Sequence, residues 1–377
     1  MARVKSLGTS LKGKDRLIWR DIEKNAFKGD ENYIPFSPGM RRGEEREFFI
    51  LMDGEEKIGR ACATVDRTWI EKKKENIGFI DDFAILPDYK EDANVLIKHC
   101  LSALKDKKLD RVSVRSNGFP ALQVEGFEYA PSAYLPHNPP FYVDLFLDNG
   151  FEEEKEWYNV RLKVSSLREE DVLAGEKRLE DLNIEFVKLN LRDKKAVKEY
   201  SDLVHRTFIG HFGFNPREFM SGYDRLSKRI LMRITTRIMR FRIYVGKYKG
   251  KDGKMVLYGS FSPDINVFFR SLIEKGKNPF GIMAMLKLML SGAKKIKRAK
   301  VGSLGLDESI RSMGVASDMI GYSLKLFIDD GYNEIDTGMT LAENLPIIKV
   351  IAEIAGKWGI EEGPSMKYYT FSYNFSP

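Results

Sequence analysis

The chain has 377 residues, 43% hydrophobic and 31% charged, with a formal net charge of +7. That length exceeds one ordinary core and suits two domains of roughly 150–200 residues each. Two cysteines, Cys62 and Cys100, exclude a disulfide framework, and the longest mostly apolar run, Phe280 to Leu290, is interrupted by Lys287. That run is well short of the roughly 20 residues a membrane span needs. With no signal segment at the start, a reduced cytoplasmic setting and no membrane span are the expectation.

In chain order, residues 14–27 place Leu17, Ile18, Ile22 and Phe27 at helical spacing. Residues 47–52 and 57–65 flank Asp53-Gly54, a hairpin signal. Residues 76–86 read as a strand, 91–107 as a helix, 111–116 as a strand and 140–149 as a helix. Residues 165–183 are charged and without periodicity, which reads as a junction. The second half repeats the order. Residues 184–191 form a strand, and Asp193 caps a helix running to Phe208. Residues 241–248 and 254–261 form a hairpin, and 280–291 a helix. Then come a strand at 299–306, a helix at 316–330, a strand at 333–339, a helix from Asn344 and a closing strand at 365–375. The expected fold is α+β, in two similar domains, 1–165 and 184–377, joined by 166–183.

Charge is unevenly spread. Residues 225–254 hold eleven Lys or Arg and one acid, and 275–300 hold eight bases and no acid. Such blocks suit an anionic partner or form a solvated basic face. Arg229, Arg233, Arg237 and Arg240 follow helical spacing. They read either as a track for an anionic substrate such as transfer RNA or as the wet face of an amphipathic helix. The four histidines and two cysteines have no metal-ligand spacing, so no metal is expected.

The run from Val301 to Tyr332 carries the chemistry. An apolar strand ends at Leu306, a polar loop with Arg311 and Gly314 follows, and an amphipathic helix begins. Glycine allows close approach of backbone amides, and a helix N-terminus attracts a pyrophosphate. Arg311 adds a permanent cation.

The segment GLDESIRSMGVA resembles the coenzyme A signature of the GNAT superfamily, with Leu306, Arg311, Gly314 and Ala316 in register. The resemblance implies two fused GNAT-like domains, each a mixed, largely antiparallel sheet flanked by helices. It implies that amides from Ser312 through Met313, Gly314, Val315 and Ala316 to Ser317 hold the pyrophosphate of acetyl-CoA. It further implies that Leu304 to Leu306 pair with the pantetheine arm, that Asn344, which opens the following helix segment, is also a cofactor-binding residue, and that the Leu306 amide serves the oxyanion. Asp307, Glu308 and Asp336 are the candidates for the base, acting on an amine acceptor. The family often has a Tyr seven residues after the Asn; here that position is Ile351. Tyr368 or Tyr369 could stand in for it. The first half is similar to large bacterial GNAT-like proteins through Asn138, Pro139, Pro140, Tyr142, Gly150 and Phe151. It lacks the coenzyme A loop, reading Pro87 to Ala93 with no Gly and no Arg. The implied activity is acyl-CoA-dependent N-acyltransfer. An aminoacyl-transfer-RNA-dependent transferase and a non-catalytic binding module are the alternatives.

Overall fold

The structure is a computed structural model. It describes residues 2–35, 43–133, 135–163, 169–208, 240–250, 253–279, 281–311, 313, 315–344, 348–349, 352 and 362–375. Ser312, Gly314, Ile351 and Arg229, Arg233 and Arg237 of the basic stripe lie outside the described residues. Two compact units divide the chain: Met1–Tyr158 with Met366–Pro377, and Asn159–Ser365.

The first unit contains β1 (Arg3–Gly8), α1 (Lys14–Ala26), β2 (Glu44–Asp53), β3 (Glu56–Asp66), α2 (Arg67–Lys73) and β4 (Ile77–Ile85). α3 (Ala93–Lys105), β5 (Arg111–Val114), β6 (Leu122–Glu125), α4 (Tyr142–Asp148) and the first part of β7 (Glu152–Lys163) follow. Its sheet runs β1-β2-β3-β4-β5, then β14 (Glu362–Asn374), then β7. β2 and β3 form the hairpin foreseen at Asp53-Gly54, where Gly54 adopts φ 56°. α1 does not bury Leu17, which is exposed; it buries Trp19, Ile22, Glu23 and Ala26. The polar member of that face is there because Arg60 on β3 meets Glu23 at 3.2 Å. On the sheet's other side α3 buries Leu96, Ile97, Cys100 and Leu104 against β3 and β4.

The second unit contains the rest of β7, α5 (Glu169–Asp181), β8 (Ile184–Lys188), α6 (Lys194–Phe208), β9 (Arg242–Tyr248), β10 (Met255–Pro263) and α7 (Ile265–Ile273). Next are α8 (Ile282–Lys287), which continues as a π turn over Leu288–Gly292, and β11 (Arg298–Leu306). α9 (Glu308–Arg311), α10 (Val315–Asp329), β12 (Glu334–Asp336) and β13 (Thr340–Leu341) complete it. Its sheet runs β7-β12-β11-β10-β9-β8. Phe261, Leu324, Phe327 and Ile335 are buried in its core.

Beyond β1, α2, β6, β7 and α7, which the sequence reading did not contain, the division into domains differs from it in two ways. The stretch 166–183 is not a bare junction: α5 lies in it, grouped with the second unit. The closing strand β14 groups from Met366 onward with the first unit, between β5 and β7, and not with 184–365. Strand partners are chosen by distant residues, and local alternation carries no information about them.

Candidate functional site

In the second unit β11 pairs antiparallel with β10 along nearly its whole length, from Ala299 opposite Pro263 to Leu306 opposite Leu257. Its parallel pairing with β12 is much shorter, covering Arg298, Lys300 and the residue between them. Beyond that point β12 stays with β7: the Thr337 amide donates to the Val160 carbonyl at 3.0 Å. β11 stays with β10. Among the described residues, Val301 to Leu306 have no strand partner on the β12 side. A stretch of extended backbone is thus open on one edge, where unpaired N–H and C=O groups seek partners.

Asp307 then turns the chain. Its carboxylate accepts from the Ser309 amide at 3.2 Å and the Ser309 hydroxyl at 2.8 Å, opening the single turn of α9. Arg311 reaches back from α9, its Nε donating to the Leu306 carbonyl at 3.0 Å. Glu308 and Arg311 are exposed, as is Met313. α10 starts at Val315, whose side chain is fully buried, while Ala316 and Ser317 are half-buried. The end of β11, Arg311 and the first turn of α10 therefore follow one another in space as in sequence. Asn344 donates its amide to the Leu341 carbonyl at 2.9 Å and accepts from the Ile348 amide at 3.2 Å.

Two residues outside the sequence motif organise this corner. Arg178 of α5 donates to the Met313 carbonyl at 2.8 Å and pairs with Asp318 at 3.2 Å, so it holds both the loop and the first turn of α10. Gly175, one turn earlier, brings the helices into contact: a Cβ there would lie 2.9 Å from the Asp318 carbonyl. The only sequence signal for either residue was that α5 is a helix, which its charge density hid. On β11, Gly305 faces the ring of Tyr258: a Cβ there would lie 2.5 Å from the Tyr258 Cζ. The Tyr258 hydroxyl is 2.9 Å from the Thr207 hydroxyl.

The carboxylates foreseen as bases are not equivalent. Asp336 is fully buried. It accepts from Arg161 Nε at 3.3 Å, Asn159 Nδ2 at 2.7 Å and the Gly338 amide at 3.0 Å. Such saturation suits a structural anchor. Asp307 pairs with Arg206 at 3.1 Å and Lys254 at 3.8 Å. Partial burial acts to raise its pKa, but Ser309, Lys254 and Arg206 outweigh this and hold it below the usual carboxylate range. A lowered pKa makes a weak base. Tyr368 and Tyr369 belong to the first unit, where the buried Tyr368 hydroxyl lies 3.4 Å from Met366 Sδ. Among the described residues no group of His, Cys, Asp and Glu is placed to hold a metal ion.

The equivalent corner of the first unit is built differently. β4 pairs parallel with β5 from Ile77 to Ile80 and then departs from it. Here the departing edge is capped from within: the Ile85 amide donates to the Tyr142 hydroxyl at 3.0 Å, and Tyr142 is buried. A 3₁₀ turn, Pro87–Asp92, follows β4, where in the second unit α9 and α10 follow β11. Beside Tyr142 is a recess of about 450 Å³, open solvent included, lined by Tyr33, Arg60, Asp82, Phe83 and His137 among others. Arg115 also lines it, 3.2 Å from Glu44 and 3.0 Å from Asp66, with its guanidinium carbon 3.4 Å from the centre of the Phe79 ring.

No family model matches the sequence, and no curated protein matches it either. Solved structures do match. A tandem GNAT protein from the clavulanic acid biosynthesis pathway aligns over 100% of this chain and 99% of its own, at 11% identity and a TM-score of 0.55. The fold is a tandem GNAT fold. A GCN5-related N-acetyltransferase from Sphaerobacter thermophilus aligns over 99% of this chain and 96% of its own, at 11% identity and a TM-score of 0.51. A GCN5-related glucosamine N-acetyltransferase region of a fungal multi-domain β-N-acetylglucosaminidase reaches a TM-score of 0.60 at 11% identity. It covers 99% of this chain and 38% of that one. The expected mixed sheet with flanking helices is thereby met in a tandem GNAT arrangement.

Proposed function

We propose that this tandem GNAT protein is an acyl-CoA-dependent N-acyltransferase that binds acetyl-CoA in its second unit and transfers the acyl group to an amine. The observation that carries the reading is the open edge of β11 from Val301 to Leu306, followed directly by Arg311 and the start of α10. An extended amide-bearing arm adds to such an edge as a strand would. A helix start with an adjacent arginine suits a pyrophosphate. In this reading Leu304 and Leu306 flank the arm, Arg311 meets phosphate, and the amides from Ser312 to Ser317 cradle it. A neutral amine attacks the thioester carbonyl, the C–N bond forms, the C–S bond breaks, and coenzyme A leaves as thiolate to be protonated. The Leu306 amide stabilises the oxyanion. Asp307 and Glu308 remain the candidates near the arm for taking the amine proton; Asp336 is assigned a structural role.

Titration calorimetry with acetyl-CoA tests the reading. Binding at one site per chain, weakened by Arg311→Ala, is expected; no heat of binding to the folded wild type would overturn it. A second reading, a binding module without turnover, is favoured by one observation: Asp307 and Asp336 are both committed to cationic partners. Acetyl-CoA binding without acetylation of any amine in a broad panel would select it. The aminoacyl-transfer-RNA alternative rests on the basic segments 225–254 and 275–300. Steeply salt-dependent RNA binding would support it.

A further inference from the structure

α8 and its π turn bury very little of themselves. Ala284 and Leu288 face inward, whereas Ile282 is 81% exposed, Met283 78% and Leu290 80%, with Leu286 also exposed. Large contiguous apolar exposure of this kind marks an interaction surface. Its surroundings are cationic. Lys287 lies within the helix, Lys294, Lys295 and Lys297 directly follow it, and all four are exposed. No acid occurs between residues 275 and 300.

We propose that this face of the second unit docks on the surface of a bilayer containing anionic phospholipid. The two halves of the argument select the same occupant. Isoleucine, methionine and leucine side chains gain by entering the acyl boundary, and lysines gain by meeting phosphate headgroups. Nucleic acid would satisfy the lysines and leave Ile282 and Leu290 in water. A second copy of the chain would satisfy the apolar side chains but set lysines against lysines. Among the described residues no helix is long and apolar enough to cross a membrane. The segment therefore lies along the interface, with Ala284 and Leu288 toward the protein.

Co-sedimentation of the full chain with phosphatidylcholine vesicles, with and without phosphatidylglycerol, tests this. Binding is expected to be about tenfold or more tighter on the anionic vesicles, and to weaken as salt is added. Ile282→Ser with Leu290→Ser should lower the vesicle-bound fraction about tenfold. Lys294→Gln, Lys295→Gln and Lys297→Gln together should abolish the preference for anionic lipid; this variant leaves the apolar face intact should the serine variant fold poorly. Equal, weak binding to both vesicle types, or anionic binding unchanged by both variants, would overturn the proposal. So would a dimer in sedimentation velocity that the serine variant dissociates while vesicles bind neither protein.

Discussion

The Tyr142 hydroxyl accepts a hydrogen bond from the Ile85 amide at 3.0 Å, at the end of β4 where that strand has already left β5. Among the described residues the corresponding edge in the second unit, Val301 to Leu306, has no strand partner. The Tyr142 hydroxyl and the 3₁₀ turn that follows β4 thus distinguish the first corner from the second.

Tyr142→Phe removes the acceptor and leaves a buried amide without a partner. A loss of about 1–3 kcal/mol is expected in urea denaturation. The number of acetyl-CoA molecules bound per chain, measured by calorimetry, should stay at one, because the 3₁₀ turn after β4 still offers no cradle.

Arg311 is exposed and its Nε donates to the Leu306 carbonyl, so Arg311→Ala should leave the melting temperature nearly unchanged. Acetyl-CoA affinity should fall by about tenfold or more, the size of a lost charge-assisted bond to phosphate. Arg178→Ala should weaken binding too, but with a measurable loss of stability, since it releases both Met313 and Asp318. Denaturation and calorimetry on the same two variants separate contact from support.

Asp336→Ala should destabilise the fold by about 3–5 kcal/mol, because Arg161 is left buried without its carboxylate. If Asp336→Asn instead folds normally and acetylates acceptors at a rate lowered a hundredfold, the structural assignment is wrong and the residue takes part in the reaction.

Asp82 gives a pH signature. Burial raises its pKa to about 6 from 3.8, and Arg60 and Arg46 offset this only in part. The folded state therefore holds the proton more tightly than the unfolded chain. Asp82 is neutral at no cost below about pH 4. Its destabilising effect grows as the pH rises toward 6 and is complete above it. Asp82→Asn should accordingly stabilise the protein by about 1–3 kcal/mol above pH 7 and by almost nothing near pH 4. Urea titrations across that range provide the check.

Much of this was legible in the residues. Asp53-Gly54 announced the β2–β3 hairpin, because a turn is decided by the residues in it. The strand–loop–helix from Arg298 to Asp329 could be read from an apolar run ending at Leu306 and from the spacing of Ile320, Leu324 and Phe327. The early parting of β11 from β12 was not legible, since it depends on Thr337 holding to Val160. Nor was the role of Arg178, because the sequence of α5 is mostly charged and gives no sign of which partner Arg178 reaches. Tyr142 read as part of a helix start after two prolines; only the fold brings its hydroxyl to Ile85. Asp336 looked like a reactive carboxylate because sequence cannot distinguish a solvated acid from one enclosed by Arg161, Asn159 and Gly338.

The position of β14 has a consequence for biosynthesis. Ribosomes deliver the first 158 residues well before Met366, so the first unit waits for its sixth strand with β5 and β7 lacking the neighbour they share. Until then those two strands present unpaired edges, the condition under which nascent chains aggregate or recruit chaperones. Domains usually mature in the order of translation. Here the unit made first is completed last. A fragment ending near residue 165, the natural cut suggested by the sequence, would be missing a central strand and should not be expected to yield a well-folded protein.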